Sequence, residues 1–409
     1  MFVAFHYPPV AYSSGVHRTL SFTKELAAKK WEVAVLTANE KCYHSVDVGQ
    51  KKAIPSNVKV IRAWAKDAVR DLSIKGKYLR FMSLPDRYQT WVLGGFISGL
   101  FHIRKNKPSV IVSTYPLASA HLIGYLLHKV SGVAWVADFR DPMAQDNFPS
   151  DPVVNKSYRF IERLVFKHAN HFVFVTNAAR NYYLQRFPEV PPEKFSVIAN
   201  GFDENAFLQA ERTNSINGAA LNNKVVMLHS GLIYPLERDP TQLFSALKSL
   251  KDKNLISVHD FSLRLRATGH DQYIKNMIRQ FDIADVVEVC PPIGYLAALQ
   301  EMMSVDVLLL MQAENCNDQI PAKAYEYIRC RKPVLALTAQ NGETARLIQD
   351  AGAGEVIPLD SCELIAQAID KMRQKFYLDN YCLPIDVDKY SRRNGAILLI
   401  DLLTRLIKT

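Results

Sequence analysis

The chain has 409 residues, 48% of them hydrophobic and 22% charged, which excludes a fibrous or disordered protein and implies two domains. The longest apolar run, thirteen residues from Trp91 to Ile103 with glycines inside, is too short to span a bilayer. The net charge of +10 is uneven: residues 1–200 carry 27 Lys and Arg against 14 Asp and Glu, and the remainder 23 against 26.

From the N-terminus, Phe2 to Phe5 reads as a strand and leads through a Pro- and Ser-rich loop to Gly15. Apolar residues at 16, 20, 26 and 27 space a helix over 16–30, and Glu32 to Thr37 is the next strand. Further strands are expected at 58–62, 109–113, 133–137, 171–175 and 195–198, with helices at 90–105, 116–130, 153–169 and 177–187. The polar, Asn-rich stretch 208–223 lacks periodicity and reads as a connecting loop. Alternation then resumes. Strands are expected at 224–229, 263–267, 286–289, 305–311, 334–337 and 355–357, with helices at 240–250, 270–280, 294–303, 321–329, 342–350 and 361–375. A last amphipathic helix, Tyr390 to Ile407, comes after the second unit and is expected to return to the first.

This pattern is α/β: two doubly wound, Rossmann-like domains. The expected boundaries are 1–203 with 389–409 for the first domain and 204–388 for the second. In such folds ligands bind outside the carboxyl ends of the strands, so two facing units would enclose a cleft.

Six cysteines, at 42, 290, 316, 330, 362 and 382, form no C-x-x-C pair. That argues against a zinc site or a disulfide framework and suits a reducing cytosol. The first residues show no secretory leader, and no motif or basic stripe with interleaved aromatics suggests nucleic acid. The basic first half suits an anionic partner, a phospholipid surface or a phosphate-bearing acceptor, or serves solubility alone.

Four stretches carry candidate chemistry. The turn YSSGVHRT places Gly15 at a helix start, where backbone N–H groups attract phosphate; a plain strand–helix turn is the other reading. VADFRDPM places Asp138, Arg140 and Asp141 at a strand's carboxyl end, where a carboxylate can hold a sugar hydroxyl or the acceptor nucleophile; a local Arg140–Asp141 pair is the alternative. HSGLIYPLERDP offers Gly231 for a tight turn and Arg238 for a diphosphate, against a surface pair with Glu237 or Asp239. In NDQIPAKAYEYIRCRKPVLAL, Pro321 starts a helix, Asp318 lies in the loop before it, and Lys323 and Glu326 share a face. These suit a nucleotide sugar, although this window alone reads more simply as a Lys323–Glu326 surface pair. Arg329, Arg331 and Lys332 fall at the far end, where they complement the helix carboxyl terminus. Asp386-Val387-Asp388 reads as a helix-start signal rather than a metal site, and His121, His229 and His270 as lone structural histidines.

Five segments in order resemble the retaining, GT-B fold glycosyltransferases of glycosyltransferase family 4. They are YPPVAYSSGVHRTLSFTKELAAKKWEVAVLTA, VADFRDPM, VIANGFDENAF, HSGLIYPLERDPTQLFSAL and QIPAKAYEYIRCRKPVLAL. The resemblance implies that the second unit binds a UDP- or GDP-sugar and the first a saccharide or polyprenyl-linked acceptor, with hexosyl or N-acetylhexosaminyl transfer and no metal or other cofactor. The family's E-x7-E element maps onto Asp318, standing where Glu is usual, and Glu326, which would hold the ribose. Arg238 matches the basic phosphate ligand; the second usual arginine is Leu232, and Lys323 supplies its charge. The histidine often found after the middle strand is replaced by the Asp138 region. Lys66, Arg70, Lys75, Lys77 and Arg80, with aromatics at 81, 88 and 91, would then lie on an anionic membrane at the cytoplasmic face. An epimerase or hydrolase of the same fold, or a non-catalytic binding subunit, are the alternative readings.

Overall fold

The computed structural model describes residues 1–11, 15–73, 75, 77–146, 148–213, 224–376 and 383–408. The chain divides into two compact units, Met1–Asn200 with Arg392–Thr409, and Gly201–Ser391. The division lies three residues from the boundaries read in the sequence. Phe202 bridges Ser391 and its N–H donates to Tyr390 O, so both crossing strands of chain stay with the second unit to that point.

The first unit carries β1 (Phe2–Val3), β2 (Val33–Ala38), β3 (Val58–Ala63), β4 (Val110–Thr114), β5 (Ala134–Arg140), β6 (His171–Phe174) and β7 (Phe195–Val197). They pair in the order β3-β2-β1-β4-β5-β6-β7, all parallel. Parallel pairing requires crossover helices on both faces, which is why strands such as β2 and β4 are buried at every residue. The helix Thr90–Asn106 comes close because Gly95 and Gly99 leave room for Ile123 and Leu127. The C-terminal helix Arg392–Lys408 returns to this unit, burying Ala396, Leu399, Leu402 and Leu403 in its core against the helix Gly15–Ala28.

The second unit carries β8 (Val225–Ser230), β9 (Phe261–Arg266), β10 (Val287–Cys290), β11 (Val307–Met311), β12 (Val334–Leu337) and β13 (Gly354–Ile357), paired in the parallel order β10-β9-β8-β11-β12-β13. Alternate residues supply two separate cores. Met227, Leu309 and Leu335 face one, while Leu228, Leu308 and Ala336 face the other. Strand order reverses between β1 and β4 in the first unit and between β8 and β11 in the second, which marks the crevice of each.

One element corrects the sequence reading. Residues 208–213, expected to begin the connecting loop, belong instead to a helix, Glu204–Thr213. Asp203 caps it by accepting from the N–H groups of Asn205 and Ala206, and Phe207 and Ala210 sit fully buried one turn apart. The rest of the expected loop, 214–223, and Tyr12, Ser13, Ser14 and Cys382 lie outside the described residues.

Candidate functional site

The second unit gathers its chemistry where β8 and β11 part. His229, next to last in β8, is buried with Nδ1 3.0 Å from Leu309 O. A carbonyl only accepts, so Nδ1 carries the proton and Nε2 is left as an acceptor. Nε2 lies 3.1 Å from Lys323 Nζ, which donates to it. Burial, then the charge of Lys323, hold the imidazole well below its ordinary pKa and therefore neutral. Burial followed by Arg238 lowers the Lys323 ammonium to about 7, with Glu326 opposing the shift.

Gly231 follows directly, and its φ of 120° is a left-handed conformation that favours glycine. A Cβ at this position would lie 3.0 Å from Lys323 Nζ, so the missing side chain also leaves space for the lysine tip. The turn is fixed from both sides: Ser230 N–H donates to Tyr327 Oη at 3.0 Å and Gly231 N–H to Arg266 O at 2.9 Å. Arg238 bends back onto the same turn, with Nη1 donating to Leu232 O at 2.5 Å and the guanidinium 5.4 Å from the centre of the Tyr234 ring. It forms neither surface pair considered above, and Asp239 instead caps Thr241.

The helix Ala322–Cys330 begins after Pro321 and carries Lys323 and Glu326 one turn apart. Glu326 Oε1 accepts from Tyr295 Oη at 2.8 Å, and Lys323 is engaged by His229, so the expected Lys323–Glu326 surface pair gives way to two separate contacts. Asp318 is exposed in the preceding loop. Gln312 and Thr344 brace that loop. The Gln312 amide donates to Cys316 O and Gln319 O, and the Thr344 hydroxyl donates to the Gln312 carbonyl. Arg329 lies in the last turn of the helix as expected, and its guanidinium also pairs with Glu204 and Glu211 and ties down the helix Glu204–Thr213.

A cavity of about 630 Å³ opens elsewhere in this unit, beside Gln312, Ala339 and Pro358. Its lining includes Asp239, Glu314 and Asp360 and no Lys or Arg, which suits a diphosphate far less than the cationic turn does.

In the first unit, Asp138 is not the ligand-holding carboxylate expected from the sequence. It is 2% exposed, and both its oxygens are engaged. Arg18 donates Nε to Oδ2 at 3.1 Å and Nη2 to Oδ1 at 3.0 Å, and Thr114 Oγ1 donates to Oδ2 at 2.9 Å. Because Arg18 also donates to Ile198 O, the pair binds the helix Gly15–Ala28 to the sheet. Gly15 starts that helix as expected, and a Cβ there would meet His6 Nδ1 at 2.9 Å and Arg140 Nη1 at 3.3 Å. Arg140 closes β5 at a φ of 63°, and among the described residues it has no carboxylate within ion-pairing distance, so the Arg140–Asp141 pair is not formed.

Sequence reasoning missed the supporting residues: His229 behind Lys323, Tyr295 behind Glu326, Gln312 and Thr344 under the Asp318 loop, and His6 beside Gly15. None carries a spacing signal, since each meets its partner from a different strand or helix.

Residues 15–201 match the family described as the glycosyl transferase 4-like domain. A search of curated protein sequences gave no match. Among solved structures, the chain is similar to sucrose-phosphate synthase from Thermosynechococcus elongatus, with 13% identity, coverage of 100% of this chain and 98% of that one, and a TM-score of 0.65. It is similar to HepE from Anabaena in complex with UDP and glucose, at 14% identity, 98% coverage of each chain and a TM-score of 0.64. It is also similar to UDP-GlcNAc 2-epimerase from Methanocaldococcus jannaschii, at 12% identity, 99% coverage of each and a TM-score of 0.57. The chain has the GT-B fold of two Rossmann-like units, and its residues 15–201 match the family model of a glycosyl transferase 4-like domain.

Proposed function

We propose that the protein is a retaining, metal-independent glycosyltransferase that moves a hexosyl or N-acetylhexosaminyl group from a UDP- or GDP-sugar to a saccharide or lipid-linked acceptor, in the assembly of a cell-surface polysaccharide or glycolipid. The observation that carries this reading is the cationic turn of the second unit. Arg238 and Lys323 converge on the Gly231 turn, unpaired with the carboxylates beside them, near the start of the helix Ala322–Cys330. Such a group neutralises the charge that develops on a leaving diphosphate, the task a divalent cation performs elsewhere. In this reading Glu326, which accepts from Tyr295, binds ribose hydroxyls, and the exposed Asp318 binds the donor sugar. With the diphosphate oxygen itself accepting the acceptor's proton on the departing face, retention needs no separate protein base. HepE, a structure of similar fold, carries UDP and glucose, which supports UDP as the first donor to test.

Thermal shift with UDP, GDP and their sugar conjugates tests the donor site. A ligand at a hundred times its Kd stabilises the native state by about 2.7 kcal/mol. Arg238→Ala and Glu326→Ala are expected to abolish most of that gain and the turnover with it; wild-type binding and turnover in both variants would refute the assignment. The likeness to an epimerase keeps one second reading open, an epimerase or hydrolase of the same fold. Nucleotide release that requires added acceptor selects the transferase, and release without acceptor selects the alternative.

Part of the basic patch expected on a membrane is withdrawn: Trp91 is fully buried, Tyr88 packs on the core, and Arg70 and Arg80 are occupied by Asp71 and Asp151, while Lys66, Lys75, Lys77 and Phe81 are exposed. The helix Thr90–Asn106 also exposes Leu93 at 60%, Ile97 at 59% and Phe101 at 74%, a row spaced by four, with exposed Arg104 and Lys105 at its end. Among the described residues no helix is long and apolar enough to cross a membrane, so this row would lie on the surface of an anionic one.

A further inference from the structure

A pocket of about 680 Å³ opens at the amino ends of the first unit's strands, where Val33 starts β2 and Val110 starts β4. Substrates of doubly wound units bind at the opposite, carboxyl ends, so the proposed reaction does not use it. Lys29, Lys30, Lys59 and Lys107 line the pocket, against one carboxylate, Glu32. All four lysines are exposed, and among the described residues none of them pairs with a carboxylate. Lysines that follow a helix commonly complement its dipole. Here the end carbonyls already have other partners. Trp31 N–H donates to Leu26 O at 3.0 Å and Lys30 N–H to Ala27 O at 3.1 Å, and Asn57 Nδ2 adds a bond to Ala27 O at 3.2 Å. Lys107 N–H donates to Ile103 O at 2.9 Å. The ammonium groups are therefore not consumed in closing the helices Gly15–Ala28 and Thr90–Asn106.

Two further features single the pocket out. Lys30 has a φ of 63° and Lys107 a φ of 44°, the left-handed conformation that helix ends usually give to glycine. Two separate helix ends thus place a lysine where glycine is favoured, and both lysines line the same pocket. The second feature is His102, which lines the pocket although it is only 8% exposed. Asn106 Nδ2 donates to its Nδ1 at 3.1 Å, so the ring proton sits on Nε2. Burial, then the charge of Lys59, lower the imidazole pKa and keep the ring neutral. Among the described residues Nε2 has no acceptor, which leaves a buried N–H donor without a partner at a cationic pocket.

We infer that this pocket is a second ligand site, separate from the crevice, for a small phosphorylated molecule whose phosphoryl oxygens meet the lysines and the His102 Nε2 donor. Charge-assisted bonds from several ammonium groups suit a phosphoryl group better than a neutral ligand. Asn57 and Asn106 commit their amide N–H groups to the protein, which leaves their oxygens to receive hydroxyl hydrogens of the same ligand. Trp31, half-buried in the lining, offers a base something to stack on, so a nucleotide and a sugar phosphate share the required chemistry. A donor buried within a concavity is reached by a small molecule and not by a flat membrane surface. The inference stands apart from the transferase reading.

The test is calorimetric titration of the full chain with pyrophosphate, AMP and glucose 6-phosphate, in an Arg238→Ala background that removes a charge from the second unit's cationic turn. Replacing Lys30 and Lys107 together by glycine takes away two charges at positions whose backbone favours glycine. The double variant should therefore melt no lower than its parent, while pyrophosphate affinity falls by about tenfold or more. Lys59→Met is expected to weaken binding in the same direction. Tighter binding of AMP than of glucose 6-phosphate identifies a nucleotide site, and the reverse order a sugar phosphate site. With Arg238 intact, the double variant should leave the response to UDP unchanged. The inference is overturned if none of the three probes binds, or if their binding is indifferent to the double substitution. A lowered melting temperature with unchanged pyrophosphate affinity would assign the lysines to the helix dipoles alone. Binding of anionic vesicles but not of pyrophosphate, lost in the same variant, would overturn the small-ligand site in favour of a membrane contact.

Discussion

Lys323 shows how a single residue acquires its chemistry. Its neighbour Glu326 in sequence suggests a surface pair, yet its tip is held by a neutral histidine from β8 and its charge is opposed by Arg238. With its pKa lowered to about 7, the lysine is only partly charged near neutrality in the free protein. An anionic diphosphate favours the ammonium form and so raises that pKa on binding. Above pH 7, binding therefore takes up a proton, and affinity falls as pH rises, by at most about tenfold per pH unit. Below pH 7 the lysine is already charged and the dependence disappears. His229, kept neutral by burial, does not contribute. Titration of UDP at pH 8 in two buffers of different ionisation enthalpy should show uptake approaching one proton in the wild type and none in Lys323→Met; equal uptake in both would contradict this account. The residue types at 231, 238, 323 and 326 were legible in the sequence as a set. The role of Asp138 was not, because its partner Arg18 is 120 positions away and nothing local distinguishes a ligand-binding carboxylate from a saturated one.

The helix Thr90–Asn106 makes the same point for an element. Its sequence is apolar almost all round, a composition that in general goes with burial on every side. In the fold it has two apolar faces. The inner one is made of Trp91 and glycines that let neighbouring side chains approach, and the outer one is the exposed row Leu93, Ile97 and Phe101. Replacing that row with serine removes no core contact, so thermal stability should change little, by about 0.5 kcal/mol per position. Co-sedimentation with anionic vesicles at low salt should be lost. Undiminished sedimentation of the triple variant would dismiss this face as the membrane contact. The helix Glu204–Thr213 errs in the other direction. Its polar composition hid two buried residues, and what holds it is a cap at Asp203 and the distant Arg329.

At the scale of the molecule, the C-terminal helix Arg392–Lys408 completes the core of the first unit, not the second from which it emerges. Leu399, Leu402 and Leu403 are buried there, worth roughly 5–9 kcal/mol together, close to the entire stability of a typical domain. Deleting residues 392–409 should leave the first unit unfolded and cut readily by a protease, while the second unit keeps its resistance; a resistant first unit would show that the helix is dispensable. The sequence alone determined the alternation of strands and helices, the two-unit layout and the family resemblance, since hydrophobic periodicity and turn residues are local and both units bury their sheets from two sides. The tertiary structure decided which charges meet a ligand and which meet each other. Arg18 saturates Asp138, His229 orients Lys323, and Arg140 is left short of partners. Pairing is a matter of distance in space, and in parallel sheets the residues that meet at one crevice come from strands far apart in the chain.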